Sequence, residues 1–410
     1  MLPEIGAFLE RKKYRIKCLN LINFRKSMKY NPLAYIRSEK DILKLVNALI
    51  MNTKGEGEKS SEDFWVKAER LYYSALIGYI WYEATEEEKN FITLLDLINA
   101  SEAREDDETY QSPVDLLFSQ LEEREPDHFA VKQYRKFKMA AGKTAKSILV
   151  SAAVRLAPFN LPQIKAITDH DDMDLYTLGE RKCALYAVIP DNDTTFNFLV
   201  SLLYSQIFQT LYYCADQIHH GALPCHVHFI LDEAPSVNLP GLPRELATMR
   251  SRNISCSTII QNMAQIKELY KDSWETIPGN SDTLLYLGGN ESSTHKYISE
   301  ALGKSTIDTK THGQTKGRSG SYSTNFQISG RELLTPDEVR MLDNRYCILF
   351  IRGTRPVMDE KYELMEHPAI RYTMDGGGPP YIHHGTAEPP IPGEPLFQTD
   401  FDNEKENAAA

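Results

Sequence analysis

Apolar residues recur along the chain with two different periods, and these divide it into helix-like and strand-like regions. At the amino end a helical segment, LPEIGAFLER, precedes a partly alternating apolar run, YRIKCLNLINF. Residues 31–170 then show helical spacing, in segments such as SEKDILKLVNALI, FITLLDLINA, PVDLLFSQLEE and TAKSILVSAAVRLAPF. This order predicts a helix and a strand, followed by an all-helical domain.

Short apolar runs return after Leu178 and alternate with longer helical stretches. The runs are CALYAVI, HVHFILD, SCSTIIQ, DTLLYLG and YCILFI. Such alternation is typical of a parallel sheet covered by helices on both faces. We therefore predict an α/β protein whose sheet domain is built from residues 1–30 and 171–355, with the helical domain, 31–170, inserted between them. The Pro- and Gly-rich residues 356–410 are expected to form a disordered tail.

Composition restricts the class of protein. The chain has 410 residues, 42% of them hydrophobic and 25% charged, which suits a soluble protein of two or three domains. Its net charge of −11 argues against a protein that coats DNA non-specifically, although a ring could still hold DNA in a small basic channel. No two cysteines are spaced as CxxC, so we expect no structural zinc and no disulfide framework, but reduced cytoplasmic thiols.

One stretch, Thr194–Ala215, carries no charged residue and needs comparison with a membrane helix. It contains several Thr, Ser, Gln and Asn residues, whereas a membrane helix is mostly apolar. We interpret it as a buried helix packed on the sheet. The chain as given is therefore expected to contain no membrane helix and to be cytoplasmic.

The sharpest chemical signal is HVHFILDEA, an apolar strand that ends in Asp232 and Glu233. Nucleoside triphosphatases place two such acids at the carboxyl edge of their sheet. There Asp232 would hold Mg²⁺ through water, and Glu233 would polarise the water that attacks the γ-phosphate. The alternative is an ordinary solvated strand end with a helix cap, because strands often end in acids.

Two further polar features accompany these acids. The next strand, SCSTIIQ, ends in Gln261, whose amide could sense a γ-phosphate and position water; the alternative is an ordinary loop amide. Between the two strands, Arg250 and Arg252 could supply an arginine finger to the nucleotide of an adjoining subunit. Taken alone, surface arginines on a helix are the simpler interpretation.

Together these features resemble the type IV secretion coupling proteins, the conjugative DNA-transfer ATPases. The resemblance rests on LDEAPSVNLPGLPRELATMRSRNISCSTIIQNMAQIKELY, GNSDTLLYLGG and ISEALGKSTI, and upstream on NPLAYIRSEKDILKLVN, EDFWVKAER and TAKSILVSAAVRLAPF. It extends from about Leu2 to Arg355. It implies a RecA-like motor domain interrupted by an all-helical domain, in agreement with the order of strands and helices.

The resemblance also implies an activity, cofactors and partners. Family members are DNA-dependent ATPases that use ATP and Mg²⁺. They form membrane-anchored homo-hexamers at the cytoplasmic face of the bacterial membrane and deliver relaxase-bound single-stranded DNA to the type IV secretion channel. By match to the family's motif, Asp232 and Glu233 are the magnesium-binding and catalytic acids and Gln261 the sensor. Arg250 is the better candidate for the finger, ahead of Arg252.

The sequence departs from the family at its amino end. Members carry membrane helices and then a glycine-rich phosphate loop, and these 410 residues contain no GxxxxGK[ST] motif. The GKT at 142–144 and the GKS at 303–305 have Phe137 and Ile298 where the first glycine is required, so neither can wrap a phosphate. We expect an incomplete motor domain, from a truncated product or a split reading frame, that is inactive alone. The alternatives are a non-catalytic relaxase-docking module or a decaying remnant.

Two other features have structural interpretations. His226 and His228 form an HxH pair that could bind metal, but no third ligand is evident, and a packed strand is favoured. The basic stretch VKQYRKFKMAAGK could contact DNA, but a solvated helix face is the simpler interpretation.

Overall fold

The structure is a computed structural model that describes residues 1–53, 64–102, 110–140, 142–190, 192–193, 195–234, 237, 239, 241–314 and 322–385. The helices in these ranges are α1 (Leu2–Arg11), α2 (Glu39–Asn52), α3 (Phe64–Glu83), α4 (Phe91–Ala100), α5 (Pro113–Arg124), α6 (Phe129–Phe137), α7 (Gly142–Arg155), α8 (Pro162–Thr168), α9 (Asn197–Tyr213), α10 (Leu242–Thr248), α11 (Met263–Tyr270), α12 (Thr276–Asn280), α13 (Ser292–Leu302) and α14 (Pro336–Arg340). The strands are β1 (Arg15–Asn20), β2 (Cys183–Val188), β3 (Val227–Leu231), β4 (Ile254–Thr258), β5 (Thr283–Tyr286), β6 (Lys304–Gln314), β7 (Tyr322–Glu332), β8 (Tyr346–Ile351) and β9 (Val357–Glu360).

Local sequence signals set several helix starts. Helix α5 begins with Pro113 in its first turn and a capping box, in which Ser112 Oγ accepts a hydrogen bond from the Asp115 backbone and the Asp115 carboxylate accepts one from the Ser112 backbone. Asn90 caps α4 by accepting bonds from the two N–H groups that follow its first residue. These caps explain why α4 and α5 begin at the residues that the sequence predicts.

The first four strands form parallel pairs, as the alternation of apolar runs with helices predicts. Strand β1 pairs with β2 from Arg15 opposite Cys183 onward, and β3 pairs with β4 from Val227 opposite Ile254 onward. The later strands differ from the expectation, because β5 pairs antiparallel with β8, and β8 antiparallel with β9. A short apolar run indicates burial but carries no information about strand direction.

A long antiparallel hairpin, β6–β7, was not predicted. Its strands pair from Lys304 opposite Glu332 to Gln314 opposite Tyr322. The segment is rich in Thr, Ser, Gln and Gly, and Phe326 and Ile328, whose exposure is described, are exposed, so hydrophobic periodicity gives no signal for it.

The chain forms two compact units. The first contains Met1–Thr177, Lys182–Gln206 and the described residues from Pro380 onward, and the second contains Leu178–Arg181 and Ile207–Pro379. This division assigns β1 and β2 to the unit that holds the helical region. The predicted boundaries at residues 30 and 170 therefore remain a proposal.

Within the first unit, the two ends of the helical region lie next to each other. The Tyr30 N–H donates to the Ile167 carbonyl at 2.7 Å, and the Asp172 N–H donates to the Lys29 carbonyl at 2.9 Å. The Lys29 ammonium also lies 3.0 Å from the Asp169 carboxylate. These contacts tie the two ends of the helical region together, which supports its interpretation as an insertion.

The helical region has a core of its own, centred on α3. Tyr73 is fully buried, and its hydroxyl donates to the Ala152 carbonyl at 2.7 Å. Glu69 is 1% exposed and accepts a hydrogen bond of 2.8 Å from Arg155, a residue of α7. Arg155 also donates to the Thr53 carbonyl at 3.0 Å beyond the end of α2. One buried ion pair thus joins α2, α3 and α7.

The uncharged segment around α9 is buried, as predicted. Its apolar positions are almost entirely inaccessible, and in the second unit Phe208 stacks on Phe229 of β3 with ring centroids 4.4 Å apart. Within the described ranges, we find no helix with the combined length and hydrophobicity of a membrane crossing.

The predicted tail requires a correction between residues 356 and 385. Strand β9 lies in this range and extends the β5–β8 sheet. Further on, the Tyr381 N–H donates to the Pro3 carbonyl at 2.9 Å. The Tyr381 ring packs so closely on α1 that a Cβ at Gly6 would lie 2.6 Å from it. The Pro- and Gly-rich composition suggested disorder, but apolar residues within it find packing partners distant in sequence.

We predict that Glu69→Ala lowers the free energy of unfolding by about 3–5 kcal/mol, because it leaves the Arg155 guanidinium buried without a counter-charge. Denaturant unfolding followed by circular dichroism measures the change. Glu83→Ala is the control, since Glu83 pairs with Arg124, whose side chain is 58% exposed; its cost should stay below about 1 kcal/mol. Equal costs for the two variants would contradict the structural role assigned to the buried pair.

Candidate active site

The strand ends of β3 and β4 lie side by side and carry the predicted site residues. Beyond the paired strands, the Ile259 N–H donates to the Leu231 carbonyl at 3.0 Å, and the Ala234 N–H donates to the Ile259 carbonyl at 3.1 Å. Phe229 and Leu231 anchor β3 through their buried side chains. The turn at Asp232 and Glu233 is therefore held at the carboxyl edge of a parallel pair, where α/β proteins bind ligands.

Glu233 and Gln261 are in direct contact. Gln261 Nε2 donates a hydrogen bond of 3.2 Å to Glu233 Oε1, although the two residues are 28 positions apart. Glu233 has a backbone φ of 51°, which is uncommon for a residue with a side chain. Such conformations cost free energy and cluster at functional sites, where the surrounding structure maintains them. The structure thus unites the predicted catalytic acid and the predicted sensor.

Asp232 lies beside Glu233 and is exposed. Its carboxylate makes no hydrogen bond or ion pair to the described part of the chain, so its oxygens are accessible. Two exposed carboxylates and an amide oxygen are hard oxygen donors, and Mg²⁺ is usually held by one or two carboxylates together with water and substrate phosphates. The residues therefore fit a nucleotide-bound magnesium ion.

Residues outside the predicted set position Gln261. The Gln261 N–H donates to Gln265 Oε1 at 3.3 Å, while Asn262 caps helix α11 by accepting from the Gln265 N–H at 3.1 Å. The backbone N–H of Met263, the residue after Asn262, donates to Thr294 Oγ1 at 2.9 Å. This bond connects α11 to α13. Sequence reasoning missed Gln265 and Thr294; the only available signal was the Asn cap that follows Gln261.

Glu291 extends this support. Its carboxylate accepts hydrogen bonds from the backbone N–H groups of Ser293 and Thr294 at 2.7 and 2.8 Å, and from both hydroxyls. Partial burial alone would raise the pKa of Glu291, but the hydrogen bonds from Thr294 and Ser293 outweigh it and lower the pKa from 4.5 to about 2. Glu291 thereby fixes the hydroxyl of Thr294 that receives the Met263 N–H.

The structure distinguishes the two candidate finger arginines. Arg252 donates two hydrogen bonds of 2.8 Å to the Asp216 carboxylate, and its guanidinium lies 4.5 Å from the centre of the Tyr212 ring. Arg250 is exposed and makes no side-chain contact of this kind within the described residues. Arg250 precedes β4, whereas Gln261 follows it, and five strand residues span about 16 Å. The structure therefore does not bring Arg250 to the Glu233 site of its own chain.

The HxH pair is engaged in a hydrogen-bonded ladder. His228 contacts the hydroxyls of Ser255 and Ser257 at 2.6 and 3.1 Å, and His226 contacts Ser255 at 2.9 Å. In the ranges that the structure describes, no group of three or more His, Cys, Asp or Glu side chains is arranged to hold a metal ion. His226 and His228 thus bond to serine hydroxyls of β4 on an exposed face of the strand pair, so the packed-strand interpretation stays a prediction.

The basic helix face is largely paired with acids. Lys138 lies 2.9 Å from the Asp115 carboxylate and Lys132 lies 3.0 Å from Asp127, while Arg135 pairs with Glu122. These carboxylates neutralise charge that a DNA backbone would need, which agrees with a solvated face.

The GKT at 142–144 begins α7, and the GKS at 303–305 follows α13, so neither stands in the strand–loop–helix setting of a phosphate loop.

Parallel strand pairs with strand-end acids and a neighbouring amide are features of a RecA-like fold, and here they accompany a helical domain. The chain matches the family model described as "Type IV secretory system Conjugative DNA transfer" over residues 7–371. It therefore belongs to this family of coupling proteins.

Among curated relatives, the chain is similar to VirD4 of Rhizobium radiobacter, with 27% identity over 249 residues that make up 60% of this chain and 34% of that protein. It is also similar to VirD4 of Agrobacterium fabrum strain C58, with 26% identity over 52% of this chain and 31% of that protein. The chain thus spans about a third of the length of these relatives.

The fold is similar to solved structures of the bacterial conjugative coupling protein TrwB. The unbound monoclinic form aligns with a TM-score of 0.63 and 14% identity, covering 90% of this chain and 78% of that one. The TrwB complex with ADP and Mg²⁺ aligns with a TM-score of 0.62. At this identity the similarity shows the fold, which confirms the predicted RecA-like architecture with a helical domain.

We predict that Glu291→Gln destabilises the protein in a pH-dependent way. Because the pKa of Glu291 is lower in the folded chain, its stabilisation is present above pH 4.5 and is lost as the pH falls toward 2. The difference in unfolding free energy between wild type and variant should therefore be largest at pH 7 and shrink at pH 4 and pH 3. Glu300→Gln, at the opposite end of α13, controls for loss of a charge. A difference that stays constant from pH 7 to pH 3 would rule out the carboxylate cap as its source.

Proposed function

We propose that the chain is part of a conjugative coupling motor, which uses ATP to deliver relaxase-bound single-stranded DNA to a type IV secretion channel. The observation that carries this proposal is the 3.2 Å hydrogen bond between Gln261 and Glu233. It couples a strand-end acid to an amide on the neighbouring strand, so a change at the γ-phosphate is transmitted to the acid that activates water. The membership of the family supports the same function.

Each site residue has a distinct role in the proposed reaction. Bound with ATP, Mg²⁺ supplies charge that neutralises the phosphate oxygens. Asp232 holds that ion through water, and Glu233 orients and polarises the attacking water. Gln261 donates to Glu233 and keeps its carboxylate aimed at the reaction centre. Gln265, Thr294 and Glu291 hold Gln261 in position.

Arg250 acts in a neighbouring subunit in this proposal. Its exposure and its position at the opposite end of β4 from Gln261 support a role at the nucleotide of another chain. This role requires a ring, and we propose a homo-hexamer at the cytoplasmic face of the membrane. The engagement of Arg252 with Asp216 makes Arg252 a poorer finger.

We predict that the 410-residue chain alone neither binds ATP tightly nor hydrolyses it. Asp232 and Glu233 have no phosphate loop within this sequence to hold a triphosphate against them, and loss of that cradle removes most of the stabilisation of phosphoryl transfer. Phosphate release in the presence of single-stranded DNA measures turnover. Turnover above background that disappears in Glu233→Gln would overturn the prediction.

We predict that a separately supplied polypeptide carrying a GxxxxGK[ST] loop restores DNA-stimulated ATPase when mixed with this chain. Asp232→Ala, Glu233→Gln and Arg250→Gln should each reduce the restored rate at least about 100-fold, since each removes a charge or base used in the transition state. Lys267→Gln, outside the proposed site, is the matched charge control and should retain the restored rate.

A docking module without catalysis is the second candidate, and the separate core of the helical region favours it. The discriminating measurement is relaxase binding. A docking module binds relaxase equally well with and without the Glu233→Gln substitution and restores no ATPase with any loop-bearing partner. Restored, Glu233-dependent turnover excludes a purely docking role.

A further inference from the structure

A cavity of about 230 Å³ lies in the second unit, beyond the carboxyl end of β5 and apart from Glu233 and Gln261 in the sequence. Its walls come from the β5–α13 turn and from the segment around α14. The lining residues used in the argument are Gly288, Gly289, Asn290, Arg340, Asp343 and Asn344. The cavity is smaller than a typical site for a whole cofactor, and its size suits a single phosphoryl group with its nearest substituents.

The turn that lines this cavity contains three consecutive backbone N–H groups, those of Gly288, Gly289 and Asn290. Gly288 has a φ of 106°, a conformation that favours glycine, and a Cβ at Gly288 or Gly289 would meet no atom within 4 Å. In the described part of the chain, no group accepts a hydrogen bond from the N–H of Gly288, Gly289 or Asn290. Consecutive backbone donors in a glycine turn are a recurrent way to bind phosphate oxygens.

The turn is also anchored. His295 is 3% exposed, and its Nε2 lies 2.9 Å from the Gly289 carbonyl oxygen. This contact occupies the carbonyl, so that the backbone N–H groups remain the available polar groups of the turn. Helix α13, which carries His295, thereby holds the donors in place.

Charges around the cavity favour an anion. Arg340 is exposed and has no ion-pair partner among the described residues, and the Lys361 ammonium lies 2.7 Å from Asn344 Oδ1. The Asp343 carboxylate also lines the cavity, but Arg345 pairs with it at 3.1 Å. The neighbouring Glu291 carboxylate is occupied by its hydrogen bonds at the start of α13. Arg340 therefore supplies the cavity lining with a cation that has no ion-pair partner among the described residues, and Glu291 keeps its negative charge outside the lining.

We propose that this cavity binds a phosphoryl group between the Gly288–Asn290 backbone and the Arg340 guanidinium. The group belongs to the backbone of single-stranded DNA or to a nucleotide. The site rests on the chemistry of the cavity, and only its nucleic-acid source rests on the proposed function. In the nucleic-acid case, the cavity is a contact of the moving strand that is separate from the site of hydrolysis.

The test compares two probes, fluorescein-labelled dT20 followed by anisotropy and ADP followed by calorimetry, on the 410-residue chain. Arg340→Gln removes the cation, and Asn290→Asp places a negative charge in the cavity with almost no change in shape. Each substitution should weaken the binding of one of the two probes about 5- to 20-fold, as expected for the loss of a charge-assisted contact. For dT20, Arg340→Gln should also lower the salt slope of the binding constant by about 0.7.

Arg355→Gln is the matched control, because Arg355 is an exposed arginine of the same unit outside the cavity. Circular dichroism verifies that each variant is folded. Weakening confined to dT20 identifies a nucleic-acid backbone, and weakening confined to ADP identifies a nucleotide; the latter result stands even if no ATPase can be restored. An equal loss in Arg355→Gln, unchanged binding in both cavity variants, or no binding of either probe at millimolar concentration would overturn the proposal.

Discussion

The parallel pairing of β3 with β4 is the constraint on which the proposed site depends. Parallel strands end at the same edge, so the pairing of Leu231 with Thr258 brings the residues that follow each strand together. A shift of one residue would turn every side chain of one strand to the other face. Buried Phe229 and Leu231 prevent that shift, because they would lose their places in the core. The contact between Glu233 and Gln261 follows from this register.

A second set of polar contacts supports the position of Gln261. Glu291 holds Thr294, Thr294 receives the Met263 N–H, and the start of α11 in turn positions Gln261. The Met263–Thr294 bond joins α11 to α13 across 31 positions, and the Gln261–Glu233 bond joins the ends of β4 and β3 across 28, so the site is shared between two helices and two strands. Such support limits the freedom of an otherwise exposed amide, whose side chain would lose entropy on ordering.

The helical region is stabilised by a different set of interactions from those at the strand ends. It is held together by buried aromatic side chains and by the Glu69–Arg155 pair. A core of this kind can persist whether or not the nucleotide site functions. For that reason the fold alone does not decide between a motor and a docking role, and the activity of the strand-end residues must do so.

The sequence by itself determined where many of the helices and strands lie and which residue types form the proposed site. Helical periodicity located α1, α4 and α9, and apolar runs located β1 to β5 and β8, because burial imposes its period on local sequence. Only the tertiary structure decided what those elements do together: the antiparallel direction of β8, the docking of Tyr381 on α1, and the engagement of Arg252 with Asp216. Each of these three features depends on residues that are far apart in sequence. The hydrophobic pattern of a local segment does not specify such partners.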